Sequence, residues 1–455
     1  MRHWKLILPP LEEARGKHWR SIKYSLFPPL GLATLAGYLP PDDHIEIVDG
    51  HVEEIRTDDR PDFVLIQTYI TNSDTAYALA DLYRRRGSRV ILGGLHATSL
   101  PEEARLHADS LVLGPADGIM REVVLDAIQG KLKPLYQATV RDITDTPFPR
   151  RDLLARSRYF VPNSLVVSRG CPYGCDFCYK HAFFKGGSSY YTTNLDRALM
   201  EVDSLPGRHL FFLDDNLLAP GRFTEDLLSE LAGRDRLIQG AGTIASVLDP
   251  KLVGLAARAG LKSLFVGFES IDETNLRESN KRHNRPSDYE RAIAILHDHG
   301  IKINGSFVFG MDGDDKDIFR RTVDWAVEMG ITTATFHIMT PYPATRLHDR
   351  LKSQGRILSE DWSRYDTRHA VFRPLRMSPQ ELEEGYRWSY REFYRLGNIA
   401  RNASVQTRLS ARLQNFAYAF GWKKMEPVWE LVVRARKLAS TMPFFERVLG
   451  GSRSP

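Results

Sequence analysis

The stretch Ser168-Arg169-Gly170-Cys171-Pro172-Tyr173-Gly174-Cys175-Asp176-Phe177-Cys178-Tyr179 contains every cysteine of this 455-residue chain, spaced C-x3-C-x2-C. Three thiolates so close together, with no fourth elsewhere, suit a cubane iron–sulfur cluster in which one iron has no protein ligand. A structural zinc site uses four protein ligands, commonly as two separated pairs. A disulfide would leave one thiol over. Gly170 and Gly174 let the backbone wrap closely round a cluster, because glycine reaches φ values that other residues avoid. Zinc ligation and three unrelated thiols are the competing readings.

Downstream of this stretch, strand and helix signals alternate. Strand candidates lie at 165–168, 210–213, 238–244, 263–268, 302–309 and 333–339. Helical patterns fall between them at 194–204, 224–232, 250–259, 287–299 and 314–329. Six βα units predict a partial (β/α)6 barrel, whose active residues should stand at the carboxyl ends of the strands. Asp214-Asp215-Asn216, Gly267-Phe268-Glu269-Ser270, Asn304-Gly305-Ser306 and Thr340-Pro341-Tyr342-Pro343 are expected there. The acidic pair would suit a ligand ammonium, and equally a helix N-cap.

Upstream, strands at 4–8, 45–48, 62–70, 89–92 and 110–113 alternate with helices at 29–39, 74–86 and 117–129. That rhythm predicts a doubly wound, Rossmann-like parallel sheet, with ligands at its carboxyl edge. Two stretches belong at that edge, Val48-Asp49-Gly50-His51-Val52-Glu53-Glu54 and Gly93-Gly94-Leu95-His96-Ala97-Thr98. The predicted divisions are a first α/β domain at 1–130, a proline-rich linker at 131–160, the barrel at 161–345, and a helical cap with a basic tail at 346–455.

The cysteine spacing, with Phe177 just before the last cysteine, resembles the signature of the radical S-adenosylmethionine (radical SAM) superfamily. The segments G-F-E-S at 267–270, F-V-F-G-M-D-G-D at 307–314 and T-P-Y-P-A-T-R-L at 340–347 resemble its cobalamin-type members, where the last is usually T-P-Y-P-G-T-x-L. The resemblance implies a 4Fe-4S cluster on Cys171, Cys175 and Cys178, with SAM chelating the open iron. It implies SAM contacts at Phe177, Asp214, Asp215, Asn216 and Glu269, and makes Asn304 and Tyr342 candidates for the substrate pocket. For Glu269 a buried ion pair is the alternative. The upstream domain resembles the cobalamin-binding domain found ahead of many such barrels, which implies cobalamin contacts at Asp49, His51, Gly93, Gly94 and His96. In its D-x-H-x-x-G fingerprint, Asp49 and His51 match while Glu54 stands in place of the glycine. His51 is then either an axial cobalt ligand oriented by Asp49 or a polar loop residue, and the residues alone favour the second.

The function so implied is cleavage of SAM to a 5′-deoxyadenosyl radical, followed by cobalamin-dependent methylation of an unactivated carbon. Radical rearrangement, cyclisation or oxidation without methyl transfer is the alternative, and a corrinoid- or cluster-based sensor is a second. An electron donor such as flavodoxin or ferredoxin is implied as partner.

A net charge of +5 argues against a nucleic-acid binder. The apolar run Leu6-Ile7-Leu8 stops at Pro9-Pro10, so neither a signal peptide nor a spanning segment is expected. Unpaired cysteines point to a reducing, cytoplasmic compartment. Residues 401–455 carry ten Arg or Lys against three Glu. Val428, Leu431, Val432, Ala435 and Leu438 recur there at helical spacing beside Arg434 and Lys437, either packing on the body or lying on the inner face of an anionic membrane. A hydrophobic or lipid-like small-molecule substrate follows from the second reading. His297-Asp298-His299 cannot form a shared helical face, Asp312-Gly313-Asp314-Asp315 lacks the ligand pattern of a calcium loop, and Gly186-Gly187-Ser188-Ser189 is too loose to cradle phosphate.

Overall fold

The computed structural model describes residues 1–14, 22–137, 141–184, 189–435 and 438–450. Residues 186–188 and Lys437 lie outside them.

The first sheet contains β1 (His3–Leu8), β2 (His44–Asp49), β3 (Phe63–Thr68), β4 (Arg89–Gly94), β5 (Ser110–Leu113) and β6 (Leu135–Gln137), in the order β2-β1-β3-β4-β5-β6. Every pairing is parallel. Alternate residues serve opposite faces, as the two-residue period requires. Trp4, Leu6 and Leu8 join the core under helix Leu30–Ala36, while Ile7, Val64 and Ile66 join the core under helix Ser73–Arg85. β6 falls inside the stretch expected to be a linker, because Tyr136 is buried in the first of these cores. The strand order reverses between β1 and β3, which opens a crevice at the carboxyl edge.

The second sheet contains β7 (Ser164–Leu165), β10 (His209–Phe212), β11 (Leu237–Gly242), β12 (Leu261–Glu269), β13 (Lys302–Phe309) and β14 (Thr333–Ile338), all parallel and in sequence order across the sheet. Its helices begin and end where their caps dictate. Helix Pro250–Ala259 starts at Asp249, whose carboxylate accepts the amides of Lys251 and Leu252, and stops at Gly260 with φ 105°. The run expected at 165–168 is not one strand. Its tail becomes β8 (Ser168–Cys171), which pairs antiparallel with β9 (Ser189–Thr192). The break has a visible cause: buried Asp214 takes the amides of Val167 and Ser168 and the Ser168 hydroxyl, turning the chain out of the barrel.

On β13, Ile303, Phe307 and Phe309 pack outward, Phe307 against Trp325 and Phe309 against Phe319. Asn304 therefore faces inward, but near the amino end of the strand. Its amide donates to Ser263 Oγ at 2.7 Å and accepts from the Thr333 hydroxyl. Tyr418, on helix Leu409–Lys424, meets Ser263 and Gln239 from below. The expectation of Asn304 at the mouth is thus corrected: it belongs to a polar floor closed by a C-terminal helix.

Helix Pro379–Phe393 lies along the edge strand β14. The Tyr390 hydroxyl meets the backbone N–H and C=O of Phe336, and the Tyr394 hydroxyl those of Ala334. Further on, Trp429 and Phe445 pack on Phe160, while Val428 and Leu431 are 41% and 59% exposed. Among the described residues no helix is long and apolar enough to cross a membrane.

Candidate functional site

The cysteine loop leaves β8 and is clamped to the barrel mouth. Asp176 N–H donates to Ser279 O at 3.1 Å, Asn280 Nδ2 donates to Gly174 O at 2.8 Å, and Leu347 N–H donates to Asp176 O. The rings of Tyr173 and His283 stack at 3.7 Å. Gly170 has φ 79°, and a Cβ there would stand 1.9 Å from Ser189 O, so no other residue fits. Three free thiols on one short loop suit a cluster that offers each thiolate its own iron, whereas a structural zinc site uses four protein ligands. Burial pushes the Cys175 thiol up to about 12 and raises Cys178 as well. Such thiols give up their protons to a metal centre that supplies the missing positive charge.

The residues expected to hold SAM surround this loop in different roles. Asp214 is buried and spent on β8, and burial pushes its carboxyl up to about 7. Through these bonds it positions the chain that leads into Cys171. Asp215, its neighbour, points the other way and pairs with Lys180 at 2.9 Å. Asn216 is fully buried, its Oδ1 accepting from Ser246 at 3.5 Å and its Nδ2 without a partner. Glu269 forms a buried ion pair with Lys281, the alternative already open to it, and adopts φ 65° at the end of β12. Phe177 packs on the edge of the barrel core.

Between the cysteine loop and the carboxyl edge of the first sheet lies a cavity of about 460 Å³. One wall carries Leu8, Gln67, Tyr69 and Gly94, and the other Ser168, Arg169, Gly170, Tyr179 and Asp215. A second space, of about 170 Å³, runs inward past Gly31, Gly93 and Gly114 between Leu65, Val112 and Met120. Gly94 needs its φ of 106°, since a Cβ would stand 2.7 Å from Thr68 O. At Gly31 a Cβ would meet nothing closer than 3.8 Å, so that glycine leaves room. A roomy mouth joined to a narrow apolar slot fits a corrin ring with an attached flat base.

No histidine lines either space. His51 is buried, with Nδ1 2.7 Å from Asp49 Oδ1 and Nε2 accepting the Leu11 amide at 3.0 Å. Asp49 also accepts the Tyr159 hydroxyl at 2.9 Å. His96 is fully buried, its Nε2 2.9 Å from Glu103 and its ring edge-on to Trp362 of the cap. Asp49 and His51 thus bond to each other and to internal partners behind the edge, while His96 Nδ1 is buried without a partner. Gly93 and Gly94 remain on the wall.

Sequence reasoning missed Arg169, Tyr69 and Tyr179. Tyr69 and Tyr179 are 38% and 37% exposed, yet that exposure faces the cavity. Burial holds the Tyr179 hydroxyl well above its ordinary range, with Asp215, Cys178, Tyr69 and Tyr342 adding to it. Tyr342 packs at the seam of both domains and cap, in the cluster of Ile70, Tyr365 and Val371. The only available sequence signal was position: Arg169 and Tyr179 flank the cysteine run.

Comparison with known proteins agrees with this geometry. The model of the radical SAM superfamily matches residues 165–326, and that of the B12 binding domain residues 24–124. A bacteriochlorophyllide d C-12(1)-methyltransferase of Chlorobaculum tepidum is 30% identical over 368 residues, 78% of each chain. A bacteriochlorophyllide d C-8(2)-methyltransferase of the same organism is 29% identical, over 85% of this chain and 93% of its own. The solved structure of the radical SAM methyltransferase TsrM from Kitasatospora setae, with tryptophan and a SAM analogue, shares the fold over 93% of this chain with a TM-score of 0.66 at 15% identity. A cysteine loop shaped for a cluster, facing a glycine-walled cavity across two parallel sheets, thus has its counterpart in known proteins, and the chain belongs to the radical SAM superfamily, among the members that carry a B12-binding domain.

Proposed function

We propose that this enzyme methylates an unactivated carbon of a large, flat, hydrophobic molecule, using a 4Fe-4S cluster, SAM and cobalamin. The observation that carries this reading is the shared wall: Ser168, Arg169, Gly170 and Tyr179, which flank the cluster cysteines, also line the cavity at the first sheet's edge. When bound, the cluster and SAM supply a carbon-centred radical and cobalamin supplies the methyl group. The chain's own work is to hold and exclude. Cys171, Cys175 and Cys178 ligate, Asp214 fixes the strand that leads into them, and Gly31 and Gly93 leave room for the corrinoid. Tyr69 and Tyr179 would narrow the space between and limit water there, which protects a radical from stray quenching.

The substrate class leans on the two bacteriochlorophyllide methyltransferases, whose macrocycle is flat, hydrophobic and large. Anaerobic turnover with a chlorophyllide-type substrate should yield S-adenosylhomocysteine together with 5′-deoxyadenosine. 5′-Deoxyadenosine alone would refute methyl transfer. Alanine at any one cluster cysteine should abolish both products, and full turnover by such a variant would refute the cluster assignment.

A peripheral position on an anionic membrane would suit such a substrate. Leu409, Leu413, Val428, Leu431 and Phe444 are all more than 40% exposed in a region rich in arginine and lysine. Cations near an anionic surface contribute on the order of 1 kcal/mol each. Flotation with phosphatidylglycerol vesicles at low salt should carry the protein upward, and failure to float refutes this placement.

A further inference from the structure

The cavity and the slot meet at a neck formed by Gly31, Thr34, Gln67, Gly94, Phe183 and Arg169. Among the described residues Arg169 is the only cation lining this neck, and the inner slot holds no other charged residue except Asp117. The remaining cation of the outer wall, Arg197, is fully engaged with the carbonyls of Thr146 and Pro147 and with Glu201. Arg169 is differently placed. A guanidinium carries five N–H donors, and Arg169 spends one on Asp117 Oδ1 at 3.1 Å, while its Nε is buried without a partner. Its side chain keeps 31% of its surface open. Leaving the buried Nε without an acceptor is costly unless one arrives with the ligand.

We propose that Arg169 is the anion-binding residue of this neck, and that the group it takes is the phosphodiester linking the corrin ring of cobalamin to its nucleotide base. The inference rests on the cobalamin reading and adds a residue to it. The ring needs the roomy outer cavity, and the flat base fits the apolar slot between Leu65, Val112 and Met120. The linking phosphate must then cross the neck, where a planar guanidinium can offer two parallel N–H groups. Arg169 precedes Gly170 and Cys171, so the contact also joins the corrinoid to the strand that enters the cluster loop.

The test compares two corrinoids that differ in this group. The whole protein, reconstituted anaerobically, is titrated with hydroxocobalamin and with diaquacobinamide, which lacks the nucleotide loop, and binding is followed by absorbance. The unaltered protein should prefer cobalamin by more than about tenfold, the range expected of a charged hydrogen bond plus base burial. Arg169→Met should lose about tenfold in cobalamin affinity while binding cobinamide unchanged, and Arg169→Lys should recover part of the loss. Iron content and the cluster absorbance of each variant report whether the adjacent loop still folds. Asp117→Asn, which frees the guanidinium of its internal partner, should keep or strengthen the preference. If Arg169→Met weakens both corrinoids equally, or keeps the full preference for cobalamin, the assignment is overturned while the cobalamin reading stands. If the unaltered protein binds neither corrinoid, both fall together.

Discussion

His51 Nε2 accepts the backbone N–H of Leu11 at 3.0 Å, so this ring nitrogen is already committed inside the protein. Its other nitrogen rests on Asp49, which in turn holds the Tyr159 hydroxyl, from the segment that leads into the barrel. The motif that resembles a cobalamin fingerprint therefore fastens one domain to the next. His51→Ala is expected to retain corrinoid in full and to lose about 1–3 kcal/mol of stability, because the Leu11 amide loses its acceptor and Asp49 one of its donors. Tyr159→Phe should lower stability in the same direction. Cobalamin content by absorbance and unfolding by denaturant are the two measurements, and loss of corrinoid with unchanged stability would reverse the conclusion.

Gly31 gives the complementary result. A Cβ there would meet only Gln67, and that at 3.8 Å, so the backbone tolerates a side chain and Gly31→Trp should fold while filling the mouth of the slot. We expect iron content to be unchanged and bound cobalamin to fall below about a tenth of normal, the loss that accompanies a fully blocked site. Gly94 is unsuitable for this experiment, because its own neighbour Thr68 would clash first.

Lys302 is buried in the barrel floor, and its one hydrogen bond there is to Leu449 O at 3.4 Å. Burial, helped by Lys262, lowers its pKa from 10.5 to about 8. Between those values the unfolded chain binds more protons than the folded one, so stability should rise with pH through that window, and the burial cost is fully present below pH 8. Lys302→Met should stabilise the protein by about 1–3 kcal/mol at pH 7 and flatten the rise. Unfolding curves from pH 7 to 10.5 check both points.

Tyr390 and Tyr394 stand one helical turn apart and meet alternate residues of β14. Removing either hydroxyl strands a backbone N–H and C=O of a buried edge. Tyr390→Phe and Tyr394→Phe are each expected to cost about 1–3 kcal/mol, and the double variant more than either alone, which unfolding by denaturant would reveal.

Much of this was legible in the sequence, for physical reasons. The helix expected at 250–259 is present with those bounds, and its caps Asp249 and Gly260 show why, because capping is local chemistry. The strand rhythm gave both parallel sheets, because burial on two faces demands apolar runs. Direction was not legible. Asp214 and Asp215 are adjacent, yet one braces a strand and the other faces the cavity, and only the fold decides which. Asn304-Gly305-Ser306 looked like a strand end, but Gly305 packs tightly against Ile331 and Phe307, and the strand runs on to Phe309. His51 and His96 were visible as residue types, while the partners that occupy them lie 40 residues upstream and 7 residues downstream. Arg169 was overlooked because its significance comes from the opposite domain.

All three thiols of the chain belong to the cysteine loop, with no other cysteine as background. A thiol-reactive dye applied to this protein therefore counts empty cluster sites directly: three equivalents per chain for the bare protein, and none for the fully loaded one. The same property lets a single alkylation, followed by mass analysis, date the loss of the cluster during purification or in the cell, without any need to see the iron.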